Sequence, residues 1–281
     1  MQGSVSESGA PELGVAVVQF APGDDVRANL ERMRELARRA ADRGARLIVF
    51  PEYSMYFGGA FDPRWVAAAQ PLDGPFVSEL GALAGDLGAT LVAGMSERLA
   101  ARTDRFSNTV VAVTPDGRLI AAYRKLHLYD AFGERESEWI EPGPITEPVV
   151  FDLDGIRVGI QTCYDLRFPE VTRRLVDAGA ELVLIPSEWV RGPLKEHHWR
   201  TLVAARAIEN TVYVAAPDHA PPIGAGRSAI VDPMGVELAG LGEQTGVAVA
   251  WASRQRLDAV RDRNPSLRLR RFRVEPGIGG S

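Results

Sequence analysis

Apolar residues recur along this chain in two textures, unbroken short runs and helically spaced singles, and the order in which they alternate is repeated. Gly14-Val15-Ala16-Val17-Val18-Gln19-Phe20 is an apolar run of strand length. Val26, Leu30, Met33, Ala37 and Ala40 then recur at helical spacing, Gly44 stops that helix, and Arg46-Leu47-Ile48-Val49-Phe50-Pro51-Glu52 reads as the next strand. A helix carrying Phe76, Leu80, Leu83 and Leu87 leads into a strand at 90–94. A hairpin follows, 109–113 turning at Pro115-Asp116-Gly117 into 119–121. From residue 157 the order returns: a strand to Cys163, a helix at 169–178 stopped by Gly179, and a strand at 181–188. A helix with Trp199, Leu202, Val203 and Ala207, a strand at 211–216, and a hairpin of 228–231 and 236–238 around Asp232-Pro233-Met234-Gly235 complete the second half.

Strands covered on both faces lose the alternation of apolar and polar positions, and these runs have lost it. Two matching βαβαββ halves therefore predict an α/β fold, a four-layer αββα sandwich. Two mixed sheets pack face to face, helices cover both outer faces, and a pseudo-twofold relates the halves. Glu52 and Cys163 close strands of opposite halves at their carboxyl ends, where α/β folds hold reactive groups. The two are expected to meet at one end of the sheet interface.

Composition removes several functional classes. The net charge of −5 argues against a nucleic-acid partner, and no apolar run approaches a membrane span. A single cysteine permits no internal disulfide and fits a reducing, cytoplasmic setting. Residues 1–12 read as a disordered tail without the basic and apolar regions of a signal peptide. One domain is expected over 13–257, with an arm at 258–281.

Candidate chemistry gathers at three places. Cys163 stands between a strand and a helix that starts at Pro169, among the polar residues Gln161, Tyr164, Asp165 and Arg167. A lone cysteine is otherwise a small buried hydrophobe. Glu52 ends an apolar run, so desolvation should raise its pKa and fit it to carry protons, unless it is a cap or a surface acid. Lys125 follows the first hairpin, where a cation would stabilise a thiolate or an oxyanion; by itself it reads as an ordinary surface lysine.

Pro51-Glu52-Tyr53, Tyr123-Arg124-Lys125-Leu126-His127-Leu128 and Cys163-Tyr164-Asp165-Leu166-Arg167-Phe168-Pro169-Glu170 occur in that order, and Ala205-Arg206-Ala207-Ile208-Glu209-Asn210 fits beside them. On these motifs the chain, over residues 13–252, resembles the carbon–nitrogen hydrolase (nitrilase) superfamily, whose members share a Glu–Lys–Cys triad in an αββα sandwich. The resemblance implies that Cys163 attacks a carbonyl carbon. Glu52 would take the thiol proton, pass it to departing ammonia, and then activate the water that frees an acid from a Cys163 thioester. Lys125 and the Tyr164 backbone N–H would form the oxyanion hole. A second family glutamate positions substrate and lysine; Arg135-Glu136-Ser137 fits that pattern and assigns Glu136, with Glu134, Glu138 and Glu141 in the same loop.

The residues after Cys163 are most similar to the ω-amidase and deaminated-glutathione amidase branches, which hydrolyse carboxamides of small carboxylate-bearing molecules. Tyr164, Arg167, Glu188 and Trp189 are candidate substrate-binding residues, and Arg191 joins them as a pocket candidate. Arg167 would pair with a substrate carboxylate, or else brace Asp165 or Glu170. The same triad would serve an N-carbamoyl hydrolase or an acyltransferase, and a non-catalytic alternative makes Cys163 an exposed, low-pKa redox-sensing thiol. His127, His197, His198 and His219 lack metal-ligand spacing, so neither metal nor cofactor is expected; spacing alone leaves a Cys–His dyad open. The expected partners are a small-molecule amide and a second copy of the chain, with the basic 261–273 segment at or near a homodimer interface.

Overall fold

Residues 12–277 are described by the computed structural model, so the tail expected at 1–12 lies outside them except for Glu12. The first half runs β1 (Leu13–Gln19), α1 (Val26–Ala41), β2 (Leu47–Val49), α2 (Pro63–Ala68), α3 (Pro75–Leu87), β3 (Thr90–Arg98), β4 (Phe106–Val113) and β5 (Leu119–Arg124). The second runs β6 (Val150–Leu153), β7 (Ile156–Ile160), α4 (Pro169–Asp177), β8 (Leu182–Leu184), α5 (Lys195–Asn210), β9 (Tyr213–Ala216), β10 (Ala229–Val231) and β11 (Glu237–Gly240), followed by β12 (Gly246–Ala252) and α6 (Arg254–Arg263). The helix ends follow local chemistry. Asp25 caps α1 by accepting the Arg27 and Ala28 N–H groups at 2.9 and 3.1 Å. Pro75 and Pro169 occupy the first turns of α3 and α4, where a missing N–H costs nothing.

Two six-stranded mixed sheets result, ordered β12-β1-β2-β3-β4-β5 and β11-β10-β9-β8-β7-β6. In each, three central strands are parallel (β1, β2, β3 and β7, β8, β9) and two more extend the sheet antiparallel. Beside the strands and hairpins expected in each half the structure adds one flanking strand, β6 on β7 and β12 on β1. Neither flanking strand was expected from the sequence. β12 follows the second half yet pairs along the whole of β1, from Leu13↔Ala252 to Gln19↔Gly246, so the last strand binds the two halves together.

Burial explains the lost alternation. Val15, Val17, Leu47 and Val49 face the partner sheet, meeting Val158, Ile160, Leu182 and Leu184. Their neighbours Ala16, Val18 and Ile48 face the other way, into a layer with Met33, Leu36 and Ala37 of α1. On the opposite face of the molecule Val183 and Val214 meet Leu175 of α4 and Trp199 and Val203 of α5. Each buried Val, Leu or Ile side chain contributes about 1.5–3 kcal/mol relative to exposure, so this four-layer packing is the scaffold's main support.

β2, β7 and β8 are shorter than their apolar runs predict. The chain leaves the ladder at Phe50, Gln161 and Ile185 and carries the remaining residues toward the site. α6 spans the boundary expected at 257/258, with Leu257 and Val260 buried. Beyond it the arm exposes Leu269 and Phe272. Among the described residues no helix is long and apolar enough to cross a membrane.

Candidate active site

Pro51 has no N–H to continue the β2 ladder, so the chain turns through Glu52 and Tyr53, the latter at φ 53°. This turn lies directly on β3: the Gly94 N–H donates to the Pro51 carbonyl (3.1 Å) and the Gly94 carbonyl accepts from the Met55 N–H (3.1 Å). A Cβ at Gly94 would stand 2.5 Å from the Tyr53 nitrogen and 2.6 Å from the Glu52 Cα, so only glycine permits the approach. Glu52 is thereby placed in the interior, 1% exposed.

Cys163 arrives from the other sheet. After β7, the Gln161 N–H donates to the Leu184 carbonyl (3.1 Å) and the Cys163 N–H to the Pro186 carbonyl (3.0 Å). Cys163 has φ 44°, a left-handed conformation uncommon for a side-chain-bearing residue, and opens a short 3₁₀ turn, Cys163–Arg167. Asp165 in that turn is fully buried and accepts from the Thr162 N–H (3.1 Å), the Tyr123 hydroxyl (2.6 Å), and the His127 N–H (3.0 Å) and ring Nδ1 (2.8 Å). It ties the cysteine turn to the residues on both sides of Lys125.

Lys125, 2% exposed, is held between two carboxylates. Its Nζ lies 3.0 Å from Glu52 Oε1 and 3.0 and 2.9 Å from the two oxygens of Glu136. Asn108 donates to Glu52 Oε1 (2.6 Å), the Glu188 N–H donates to Glu52 Oε2 (2.7 Å), and the Tyr53 hydroxyl donates to Glu136 (2.7 Å). The Tyr129 N–H, at 2.5 Å, holds the other Glu136 oxygen. Of the four glutamates in that loop only Glu136 reaches Lys125. Glu141 pairs with Arg102, Glu138 with Arg135, and Glu134 stands at the cavity wall.

These contacts set the protonation states. Burial penalises the Lys125 cation, but Glu136 and Glu52 outweigh it and hold its pKa well above the usual value, so it stays charged. Burial raises the Glu52 pKa against the opposing pull of Lys125. Burial and then Glu52 push the Cys163 thiol well up. The resting sulfur is a thiol whose hydrogen points to the Glu188 carbonyl, Sγ to oxygen 3.4 Å. Cys163 is only 7% exposed. A buried thiol with a raised pKa is the opposite of the exposed, acidic sensor that formed the non-catalytic alternative, and burial is the reason.

The cysteine opens into a cavity of about 360 Å³ lined by Glu52, Lys125, Glu136 and Cys163 and by all four candidate binding residues, Tyr164, Arg167, Glu188 and Trp189. Tyr53, Phe57, Phe61 and Ile223 give it an apolar wall. Burial lifts the Glu188 pKa well above the ordinary range, with Glu52 and Asp218 adding to it. Arg167 braces neither Asp165 nor Glu170. Its guanidinium lies over the Trp189 ring, 4.7 Å from the centroid, and its buried Nε and Nη2 have no acceptor among the described residues. Arg191 does not line the cavity; it turns outward to Glu243 at 3.7 Å.

No histidine among the described residues lines the cavity, which removes the Cys–His dyad. His127 stacks on Phe168 and serves Asp165, while His219 Nε2 meets the Glu52 carbonyl at 2.6 Å. Burial lowers the His219 pKa to about 4, so it is neutral and donates from Nε2 to that carbonyl. Asn108, Tyr129, His219 and Lys195 were missed from the sequence. Asn108 stands just before the strand expected at 109–113, between Ser107 and Thr109, and only the structure shows it inside β4.

The family model for carbon-nitrogen hydrolase matches residues 14–262. A deaminated glutathione amidase of Escherichia coli O157:H7 is 37% identical over 258 residues, covering 92% of this chain and 97% of that protein. Among solved structures, Nit3 of Saccharomyces cerevisiae, a member of branch 10 of the nitrilase superfamily, superposes with a TM-score of 0.83 at 28% identity, covering 96% of this chain and 100% of that one. A mutant amidase of Nesterenkonia in complex with acrylamide gives a TM-score of 0.78 at 26% identity, over 94% and 98% of the two chains.

Proposed function

The chain belongs to the carbon–nitrogen hydrolase family and acts on amides other than peptide bonds, and from that premise we propose that it cleaves a small carboxamide to acid and ammonia through a thioester on Cys163. The reading is supported above all by one arrangement: Glu52, Lys125 and Glu136 hydrogen-bonded in series in the cavity wall that also presents Cys163. As a resting thiol, Cys163 needs a base at the moment of attack. Glu52, buried and with a raised pKa, is matched to that task. The sulfur bonds to the amide carbon while Glu52 takes the thiol proton. The oxygen's developing charge falls to Lys125 Nζ and to the Tyr164 N–H, one of the first donors of the 3₁₀ turn, which has no partner within the turn. The C–N bond then breaks and Glu52 passes its proton to the departing ammonia. A water that loses its proton to Glu52 adds to the thioester carbon, and the proton returns to sulfur as the acid leaves. In this scheme Glu136, with Tyr53 and the Tyr129 N–H, fixes the lysine in place.

On the substrate side, the relatives named deaminated glutathione amidase and the unpaired Arg167 favour an acyl group that carries a carboxylate. Ammonia release would be measured from succinamate, 2-oxoglutaramate, deaminated glutathione, simple aliphatic amides, a nitrile and an N-carbamoyl amino acid. The carboxylate-bearing amides are expected to lead. A preference for the nitrile, the N-carbamoyl compound or uncharged amides would overturn this assignment, and acid replaced by an amide when amines are added would make the protein an acyltransferase.

A further inference from the structure

Glu52 is held from the second half of the molecule at both its main chain and its carboxylate. The main-chain carbonyl accepts the Nε2–H of His219 (2.6 Å), and Oε2 accepts the Glu188 N–H (2.7 Å). Both donors are set by one dipeptide, Asp218-His219, which is fully buried and does not line the cavity. Asp218 Oδ1 accepts the N–H of Trp189, the residue after Glu188 (2.7 Å), and the N–H of His219 (2.8 Å). Among the described residues the His219 ring makes one hydrogen bond, the one to Glu52, since its Nδ1 has no partner there. Leaving a buried acceptor unsatisfied is costly, and an apolar side chain in the same space would avoid that cost. What the histidine supplies, and an apolar residue could not, is the contact to Glu52.

The dipeptide is anchored on all sides. The Asp218 N–H donates to Ser228 Oγ (2.9 Å), and the Ser228 hydroxyl and N–H both donate to Gln19 Oε1 (2.7 and 3.0 Å). Gln19, at the end of β1, donates in turn to the Gly242 and Gln244 carbonyls (3.0 and 2.8 Å). Just beyond His219, the Ala220 N–H donates to the Phe20 carbonyl (3.1 Å). The chain returns over the histidine at Gly224, where a Cβ would stand 2.5 Å from the His219 carbonyl oxygen and 2.7 Å from its Cβ. Phe57 meets the ring edge-on, centroids 5.2 Å apart. The same frame carries the nucleophile: the Cys163 N–H donates to the Pro186 carbonyl (3.0 Å), and the next residue, Ser187, donates its N–H to the Pro217 carbonyl (3.0 Å). A buried polar network tied at this many points holds one geometry.

We infer that His219, backed by Asp218, is a positioning residue that sets the general base Glu52 against the Cys163 sulfur. Glu52 comes from the first half of the chain and Cys163 from the second, so the alignment of their reacting atoms depends on contacts that cross between the halves. The His219 bond to the Glu52 main chain is one such contact. The Glu188 N–H, steadied through Trp189 by Asp218, is another. This deepens the amidase reading and rests on it for the role of Glu52 as base.

A pair of amide substitutions separates positioning from bulk. The side-chain nitrogen of Gln reaches the Nε2 position of a histidine and can donate to the same carbonyl, whereas that of Asn stops at the Nδ1 position. Hydrolysis of succinamate and alkylation of Cys163 by iodoacetamide would be followed in His219→Gln and His219→Asn, with and without Glu52→Gln, alongside melting curves. His219→Asn is expected to lower kcat by about tenfold to a hundredfold with KM within about twofold, the effect of a displacement approaching 1 Å, and His219→Gln should recover most of it. Alkylation should fall similarly in His219→Asn, but not further once Glu52→Gln has removed the base, because the two residues act as one unit. His219→Met, adaptable and without a donor, replaces the Asn variant if that one does not fold. Native kcat in the folded variant, no recovery in His219→Gln, or an equal fall in alkylation with and without Glu52 would overturn the proposal. If the native enzyme hydrolyses no amide, alkylation that depends on His219 only while Glu52 is present would support the positioning role and overturn the amidase reading instead.

Discussion

Lys125 faces Glu52 and Glu136 at hydrogen-bond distance in a fully buried setting, so its removal acts on stability as well as rate. Lys125→Ala leaves two buried carboxylates without their cation, a loss of about 3–5 kcal/mol at neutral pH. It also removes an oxyanion donor, which costs about 10²–10³-fold in kcat. Without the cation the folded-state pKa of Glu52, already raised by burial, rises further above its unfolded value. The stability deficit is then smallest at low pH and grows as pH rises, which thermal melts at pH 5 and pH 8 would resolve. Glu52→Gln keeps the size of the side chain but cannot accept the thiol proton, and its amide nitrogen must face a buried donor where a carboxylate oxygen now accepts, so turnover is expected to vanish with a stability loss of about 1–3 kcal/mol. Since burial raises the Glu52 pKa, kcat/KM in the native enzyme should fall with acidification at a pH above the ordinary glutamate value of about 4.3. An acid limb at or below that value would contradict a buried base. At this scale Glu52, Lys125 and Cys163 could be read from sequence because each sits at the end of an apolar strand or hairpin. Lys195, Tyr129 and His219 could not: their partners come from segments distant along the chain, and Lys195 in isolation is one surface lysine among many. Arg191 failed as a pocket candidate for a related reason. Residues adjacent in a loop turn to different sides, and only the fold sends Trp189 inward and Arg191 out to Glu243.

Strand ends are the devices that assemble the site. β2, β7 and β8 stop early, and the residues beyond them supply Glu52, Cys163 and Glu188 to a common cavity. Two contacts fix their separation. Gly94 allows the Glu52 turn to rest on β3, so Gly94→Ala must displace that turn by several tenths of an ångström or more. About a hundredfold loss of kcat/KM is expected, since a 1 Å misplacement carries a cost of that order. Asp165 holds four donors from the cysteine turn, β5 and the lysine segment. Asp165→Ala strands those donors, with a stability loss of about 1–3 kcal/mol for each one left buried and unsatisfied, measurable by chemical denaturation. The parallel core strands and their helices were legible because both-faced burial writes long apolar runs. β6 was not, because an edge strand of four residues has one partner strand and a mixed pattern; β12 is an apolar run, Gly246–Ala252, that lies outside the two matching halves.

Across the whole molecule, the pairing of β12 with β1 closes the repeat, so the two halves fold as one unit even though each carries its own sheet. The arm beyond α6 leaves Phe272 89% and Leu269 71% exposed, and we propose that these residues are covered in a homodimer by the second copy. Light scattering should give twice the chain mass, and Phe272→Asp with Leu269→Asp should shift it toward the monomer; a native monomer at micromolar concentration would contradict the proposal. The proposed chemistry turns on the sulfur of Cys163. The measurement that bears on it most directly is ammonia release from the best amide of the panel by the native enzyme and by Cys163→Ala, with melting curves to verify that both are folded. A loss of about 10⁴-fold or more in the variant is the predicted result. Release within about tenfold of the native rate from folded Cys163→Ala would show that no thioester on this residue lies on the reaction path.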